Sequence, residues 1–435
     1  MNKVTQFFEK MMPFMLKFAN AKPTMAIKDG FILTMPLTLI GSIFLLLANL
    51  PINGYADIMA NIFGPNWSTP LNQVVGSTFD IVALVGVFGI AYAYVKNEGI
   101  EAVTAGILGI VSMLIVSSSS VMAGNEAVGG VIPKEFMGGK GMIAAILIGL
   151  AVGYIYSWFI KRDIRIKMPD GVPPGVANAF TALIPAFAIM TLSFLVFILF
   201  DTAFDTTLIV KIYEVLQTPL QNMTDSLGGA ILIPMLIGLF WWCGIHGATL
   251  ISGVMGPILQ ANALANQAVL DAGQALVVGE NAKILTIQLI DQFVTFTGSG
   301  ITLGLVLAMI LAAKSSHMKQ LGKLSIVPGL FNINEPVLFG MPIVFNPMML
   351  VPFVLVPTVS ALITYFAISI GILSPFTGVM VPWTTPPIIS GFIVGGWKAA
   401  LLQIGVIAMS TAAYYPFMKM IDKESYKSEK EASAS

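Results

Sequence analysis

Charge is scarce in this chain. Only 10% of its 435 residues are Asp, Glu, Lys or Arg, against 56% hydrophobic, where a soluble domain carries about 25% charged residues. A water-soluble globular domain is therefore excluded, and a mean hydropathy of +0.86 agrees. Net charge is missing too: 22 basic residues cancel 22 acidic ones, so no bulk charge points to nucleic acid. Cysteine is down to one, Cys243, inside an apolar run. That excludes a disulfide framework or a multi-cysteine zinc site within one chain, and a lone buried Cys packs as a small hydrophobe. Histidine is down to two, His246 and His317. One histidine with one glutamate falls short of the three or four ligands a metal site needs, so no metal and no other cofactor is expected. There is no P-loop. The N-terminus lacks the clean apolar core of a signal peptide, because Glu9, Lys10 and Lys17 interrupt it.

Long apolar runs are what the sequence has in quantity. A spanning helix needs about 20 mostly apolar residues. Five candidates occupy 31–50, 81–95, 102–117, 142–160 and 180–200, and five more runs follow at 230–245, 284–313, 349–373, 379–395 and 399–416. Polar or proline-broken pieces at 246–283, 314–347 and 374–387 separate the later runs. Broken backbone at membrane depth survives only where protein buries it or a wet cavity lines it, so these pieces read as re-entrant segments. Val4, Phe7, Phe8, Met11, Met12, Phe14, Met15 and Phe18 recur at helical spacing between lysines, an amphipathic helix lying on the membrane surface or on the protein. Residues 205–222 are amphipathic as well and too polar to span. The expected fold is an all-α polytopic membrane protein of about ten transmembrane helices, with re-entrant segments and amphipathic surface helices. Residues 1–200 read as scaffold, 201–230 as an amphipathic linker, 231–416 as the half bearing the site, and 417–435 as a cytoplasmic tail whose end, 423–435, reads as disordered. Lys161, Arg162, Arg165 and Lys167 crowd one connection, while 51–78 holds no Lys or Arg. The positive-inside rule then places both termini and 161–178 in the cytoplasm and 201–229 outside.

Four stretches can carry chemistry. In FNINEPVLFGMPIVFNP, 331–347, Asn332, Asn334 and Glu335 sit among three prolines. Burying a carboxylate costs several kcal/mol unless it is paired or protonated, so an intramembrane acid is a functional residue by default. The competing reading is an acid capping a helix at a loop end. In WWCGIHG, 241–247, His246 lies between Gly244 and Gly247. A histidine there can bond sugar hydroxyls or act as a base, or it is a satisfied core residue; Trp242 belongs to the same candidate site. In ILTIQLIDQFVTFTGSG, 284–300, Gln288, Asp291, Gln292, Thr295 and Ser299 fall at spacings of three and four. Such a stripe on one helical face lines a cavity or bonds a neighbouring helix. In VPWTTPPIISGF, 381–392, the indole of Trp383 suits the C–H face of a pyranose, or anchors at the membrane interface. Amides, hydroxyls, an indole, one acid and one histidine suit a polyhydroxylated, uncharged ligand.

These stretches resemble a known family. GLFNINEPVLFGMPIVFNP, 329–347, looks like the signature region of the membrane-embedded enzyme IIC subunit of the bacterial phosphotransferase system, lactose/cellobiose (diacetylchitobiose) type. WWCGIHG is similar to that family's histidine-bearing segment, and AIKDGFILTMPLTLIGSIFLLLANLP, 26–51, to its first span. The resemblance implies a homodimeric sugar permease in the bacterial cytoplasmic membrane, dimerising through the 1–200 half and moving sugar through the 231–416 half. It implies a β-linked disaccharide substrate whose 6-hydroxyl is phosphorylated by a separate IIB protein carrying phosphocysteine, itself charged by IIA. Independent catalysis by this chain is not expected, and the short tail leaves no room for a fused IIB domain. The family's sugar-binding glutamate and histidine fall on Glu335 and His246, either of which orients or deprotonates the hydroxyl. Asn332, Asn334 and Trp383 fall at sugar contacts. The rival function is an ion-coupled sugar symporter or a passive channel, with Asp80, Asp291 and Glu335 as ion carriers.

Overall fold

A computed structural model describes residues 13–50, 54–124, 126–169, 171–341 and 343–434. Most of the expected N-terminal amphipathic helix lies outside them. Among the described residues, seven helices are long and apolar enough to cross a membrane. The pair Leu208–Thr224 and Leu227–Trp242 makes an eighth if it is counted as one broken span, and Val103–Ile115 and Leu303–Ala312 are apolar but shorter. The five apolar runs of the first half fall on Met35–Ala48, Val82–Lys96, Val103–Ile115, Met142–Lys161 and Pro174–Phe204. The only sheet among the described residues is a hairpin of Ser120–Ala123 with Glu126–Gly129.

The chain forms two compact units. The first comprises 18–222 and takes in 252–264. Its core is the Val82–Lys96 helix, packed against Lys22–Ile32, Val103–Ile115 and Met142–Lys161. Lipid is as apolar as leucine, so helices in a bilayer associate through close packing of small residues. The contact of Gly30 with Gly89 shows this directly: a Cβ on Gly89 would lie 2.3 Å from the Gly30 carbonyl oxygen. Around it Val87, Ile90, Ala91 and Val95 are completely buried. At one end of these helices Lys22 and Lys161 both grip the Glu98 carboxylate. In the neighbouring loop, hydrogen bonds from Lys167 and then Arg165 hold the Asp163 carboxyl below its ordinary range. The amphipathic stretch expected at 205–222 is helical, but one turn, Tyr213–Gln217, is widened into a π-helix. That turn carries Gln217, buried, which donates to the Gly139 carbonyl (2.8 Å) and accepts from the Ile143 N–H (3.2 Å).

The second unit comprises 13–17, 223–251 and 265–434 among the described residues. Leu227–Trp242 packs on Pro347–Ser369, and Leu303–Ala312 packs on Ser316–Leu330 and the long Ile389–Ala434 helix. That helix bends at Gly395 and Gly396, between the two apolar runs read from the sequence. Two expectations are corrected here. The proline-broken piece at 314–347 opens with a regular helix, Ser316–Leu330, and residues 423–434 continue a helix instead of being disordered. The two corrections share a cause. The first N–H groups of any helix lack partners within it. Asp422 accepts from the N–H groups of Lys314 (2.8 Å) and Ser315 (2.9 Å) and from the Ser315 hydroxyl (2.7 Å). Glu429 accepts from Ser316 and His317, both at 2.9 Å. The tail is ordered because it caps another helix. Asp422→Ala should therefore loosen 417–434 without unfolding the membrane helices, and trypsin should cut at Lys419, Lys423 and Lys427 faster than in the parent protein.

Candidate functional site

Both signature stretches use one device. The Leu227–Trp242 helix stops when Gly244 turns left-handed (φ 79°), with Gly244 N–H donating to Trp241 O and Ile245 N–H to Phe240 O. The Ser316–Leu330 helix stops at Asn332 (φ 64°), with Asn332 N–H donating to Gly329 O and Ile333 N–H to Pro328 O. This is the Schellman arrangement, for which Gly and, less often, Asn are suited. In each case a new helix starts within three residues and carries the candidate polar residue at its beginning.

After the first stop, His246 caps Gly247–Asp271. Its Nδ1 accepts the Thr249 N–H (3.1 Å) and lies 2.7 Å from the Thr249 hydroxyl. A backbone N–H only donates, so Nδ1 is unprotonated and the neutral ring carries its proton on Nε2. The ring sits 4.3 Å from that of Trp241, and the residue is exposed rather than in the core. After the second stop, Asn334 precedes the short Glu335–Gly340 helix, with Pro336 in its first turn. Glu335 is exposed and its carboxylate accepts no hydrogen bond among the described residues. The two turns are tied together beyond Glu335. Phe345 N–H donates to Trp242 O (3.0 Å), and the Trp242 indole N–H donates to Asn346 O (2.7 Å).

The remaining candidates divide into exposed and structural groups. Trp383 is 57% exposed. Trp242 is fully buried. Asn332 bonds three backbone groups: Oδ1 accepts the Thr297 N–H (2.5 Å), and Nδ2 donates to the Trp383 (2.5 Å) and Thr385 (3.0 Å) carbonyls. Asn334, buried, donates to Ser299 O (2.7 Å). Gln288, buried, donates to the Thr377 (2.6 Å) and Val379 (3.0 Å) carbonyls.

The polar stripe at 284–300 needs correction. The helix covers Ile287–Phe293 only, so Gln288, Asp291 and Gln292 share it while Thr295 and Ser299 do not. Beyond it Thr297, Gly298, Gly300 and Ile301 all have φ between 54° and 89°, and Thr295 turns its hydroxyl back to Ile290 O (3.2 Å). Asp291 and Thr295 are half-buried. Sequence reasoning missed Gln403, which is fully buried and accepts from the N–H groups of Ile388 (2.5 Å) and Gly391 (3.1 Å). The available signal was an uncharged amide inside an otherwise apolar run at 399–416.

The arrangement offers an exposed carboxylate, a ring N–H donor on the imidazole and an exposed indole within one unit. Those groups fit a hydroxyl-rich ligand. Comparison with known proteins agrees with this chemistry. The family model described as "Phosphotransferase system, EIIC" matches residues 28–357. The Lichenan permease IIC component of Bacillus subtilis (strain 168) is 43% identical over 99% of this chain and 96% of its own length. The PTS system cellobiose-specific EIIC component of Geobacillus stearothermophilus is 39% identical over 96% of this chain and 93% of its own. The crystal structure of the transporter ChbC, the IIC component from the N,N'-diacetylchitobiose-specific phosphotransferase system, superposes with a TM-score of 0.92 at 40% identity, covering 98% of this chain and 99% of that one. The chain therefore belongs to the EIIC family, the membrane-spanning permease component of the phosphotransferase system.

Proposed function

We propose that this permease imports a β-linked disaccharide of the cellobiose or diacetylchitobiose type and presents its 6-hydroxyl to a separate cytoplasmic IIB protein. Relatives whose names print lichenan, cellobiose and N,N'-diacetylchitobiose support the substrate class. The observation that carries the site is Glu335, an exposed carboxylate with no hydrogen-bond partner among the described residues, at the start of a short helix in a membrane protein. The bond from Thr249 N–H to His246 Nδ1 supports a division of labour between the two signature residues. With its proton on Nε2, His246 donates to a sugar oxygen, and Glu335 is the group that accepts the 6-hydroxyl proton. In the transfer, the O6–P bond forms as the S–P bond of the IIB phosphocysteine breaks, and the O6 proton passes to Glu335. Trp383 offers its exposed face to a pyranose ring. Asn332, Asn334, Gln288 and Trp242 act behind these, each already bonded within the protein; Asp291 and Thr295 stand beside them on the same segment. Cys243 is buried, which suits a packing role and leaves the phosphorylated cysteine to IIB.

Both termini and the 161–178 connection face the cytoplasm in this reading, and the protein works as a homodimer through its first half. Phosphorylation traps the product, because a dianionic sugar is repelled by the Glu335 carboxylate. The deciding experiment is uptake of labelled cellobiose and diacetylchitobiose into cells expressing the chain, with and without the phosphotransferase proteins. Sugar phosphate should accumulate only when those proteins are present. Free sugar concentrated without them would overturn the reading in favour of ion coupling.

A further inference from the structure

The segment between the Pro347–Ser369 and Ile389–Ala434 helices has no regular structure at 374–388. Backbone of that kind inside a membrane protein must find hydrogen-bond partners for each N–H and C=O, because lipid supplies none. Some bonds stay within the backbone, as from Thr385 N–H to Pro382 O (2.9 Å), and a series of side chains of one chemical type supplies others. Asn266 donates to Phe376 O (2.7 Å), and Gln288 to Thr377 O and Val379 O. Gln267 accepts from Gly378 N–H (3.3 Å). Asn332 donates to Trp383 O and Thr385 O, and Gln403 accepts from Ile388 and Gly391. Five primary amides, from four separate stretches of chain, thus hold eight backbone groups in sequence order along 376–391.

The chemistry explains the choice. A primary amide is uncharged, so it avoids the cost of an ion at membrane depth, and it carries both a donor and an acceptor to match a backbone group of either kind. Gln403 has the most demanding place. It is fully buried. Its Oε1 holds Ile388, whose φ of 73° is a left-handed conformation that a β-branched residue adopts only under constraint. Its Nε2 is anchored in turn to Gln292 O (2.8 Å) on the Ile287–Phe293 helix. Strain at Ile388 is therefore locked from a neighbouring element, and what the lock fixes is the exposed Trp383 with Thr384 and Thr385.

We propose that this amide ladder presets a sugar platform at 383–385 and that Gln403 is its positioning residue. It touches no sugar; it sets the pose of Trp383. The proposal deepens the sugar-site reading and rests on it for its ligand. The test uses the full chain with its single cysteine removed (Cys243→Ser) and a spin label at Thr384→Cys. Gln403→Leu should raise the label's mobility while a control label at Phe366→Cys, on the Pro347–Ser369 helix, stays unchanged. In cells with the phosphotransferase proteins, KM for the disaccharide should rise about tenfold while the turnover number holds within about twofold, as loss of ground-state positioning hydrogen bonds demands. Adding Ile388→Gly, which makes the left-handed backbone free of strain, should recover part of that loss. If Gln403→Leu does not fold, Gln288→Leu, which removes the rungs at 377 and 379, is read in the same way. A folded variant with unaltered label mobility and KM overturns the ladder. Failure of the parent protein to take up either disaccharide overturns the sugar reading instead, and the label mobility still judges the ladder.

Discussion

Replacing Glu335 with Gln should leave a folded, membrane-inserted protein that no longer phosphorylates its sugar. The residue is exposed and makes no hydrogen bond within the described residues, so its loss removes no internal contact. Gln keeps the shape and one acceptor oxygen but gives up the charge. A hydrogen bond to an ionised group contributes about 1.5–3 kcal/mol, so sugar binding should weaken roughly 10- to 100-fold. The turnover number should fall further, by about 10²–10⁴, if Glu335 takes the hydroxyl proton as a general base. His246→Gln should behave differently. It keeps an N–H donor for the sugar, so turnover should suffer less than KM. Equilibrium binding of labelled disaccharide to purified protein, beside phosphorylation in vesicles with IIA and IIB, separates the two effects. Full binding and full phosphorylation in Glu335→Gln would remove the residue from the site.

Much of the scaffold was written in local sequence. Each apolar run of the first half is centred on one helix, although the first run, 31–50, also takes in the end of Lys22–Ile32 and the run at 102–117 gives a short helix, Val103–Ile115. The stops before His246 and Glu335 were legible too, because Gly244 and Asn332 are residue types that tolerate left-handed backbone. What could not be read was any relation between distant residues. Nothing near Asp422 announces that its carboxylate closes the N-terminus of a helix 107 residues earlier, so the charged tail looked disordered. The spacing at 288–299 fitted a helical face, yet the helix stops at Phe293, and the positive φ values of Thr297, Gly298, Gly300 and Ile301 keep the chain beyond it out of a helix. Asn332, expected at a sugar contact, also clamps backbone at Thr297, Trp383 and Thr385. An amide offers the same donors and acceptors to a backbone as to a hydroxyl, and only the fold decides which partner arrives.

The same limit makes Gly247→Ala the sharpest structural prediction. In sequence it is a mild change at the first position of a helix, where Ala has the higher helix propensity. In the structure a Cβ on Gly247 would lie 2.1 Å from the Ile237 carbonyl oxygen and 2.9 Å from its carbon. Both are backbone atoms of the Leu227–Trp242 helix, so no side chain can rotate aside. Either that helix moves or the start of Gly247–Asp271 does, and His246, which caps the latter, moves with it. The first escape is resisted because Trp242 is bonded to both Phe345 and Asn346. Overpacking of this kind costs about 1–3 kcal/mol, and displacing a reacting group by about 1 Å can cost about 10²-fold in rate. Phosphorylation-coupled uptake should fall at least about tenfold on that basis, with a lower thermal midpoint for the purified protein. Gly256→Ala is the control on the same helix, since its Cβ would meet nothing within 4 Å, and it should be silent or slightly stabilising. If the two variants transport equally well, the His246 turn is not held by this contact, and the fixed imidazole on which the division of labour with Glu335 depends loses its structural basis.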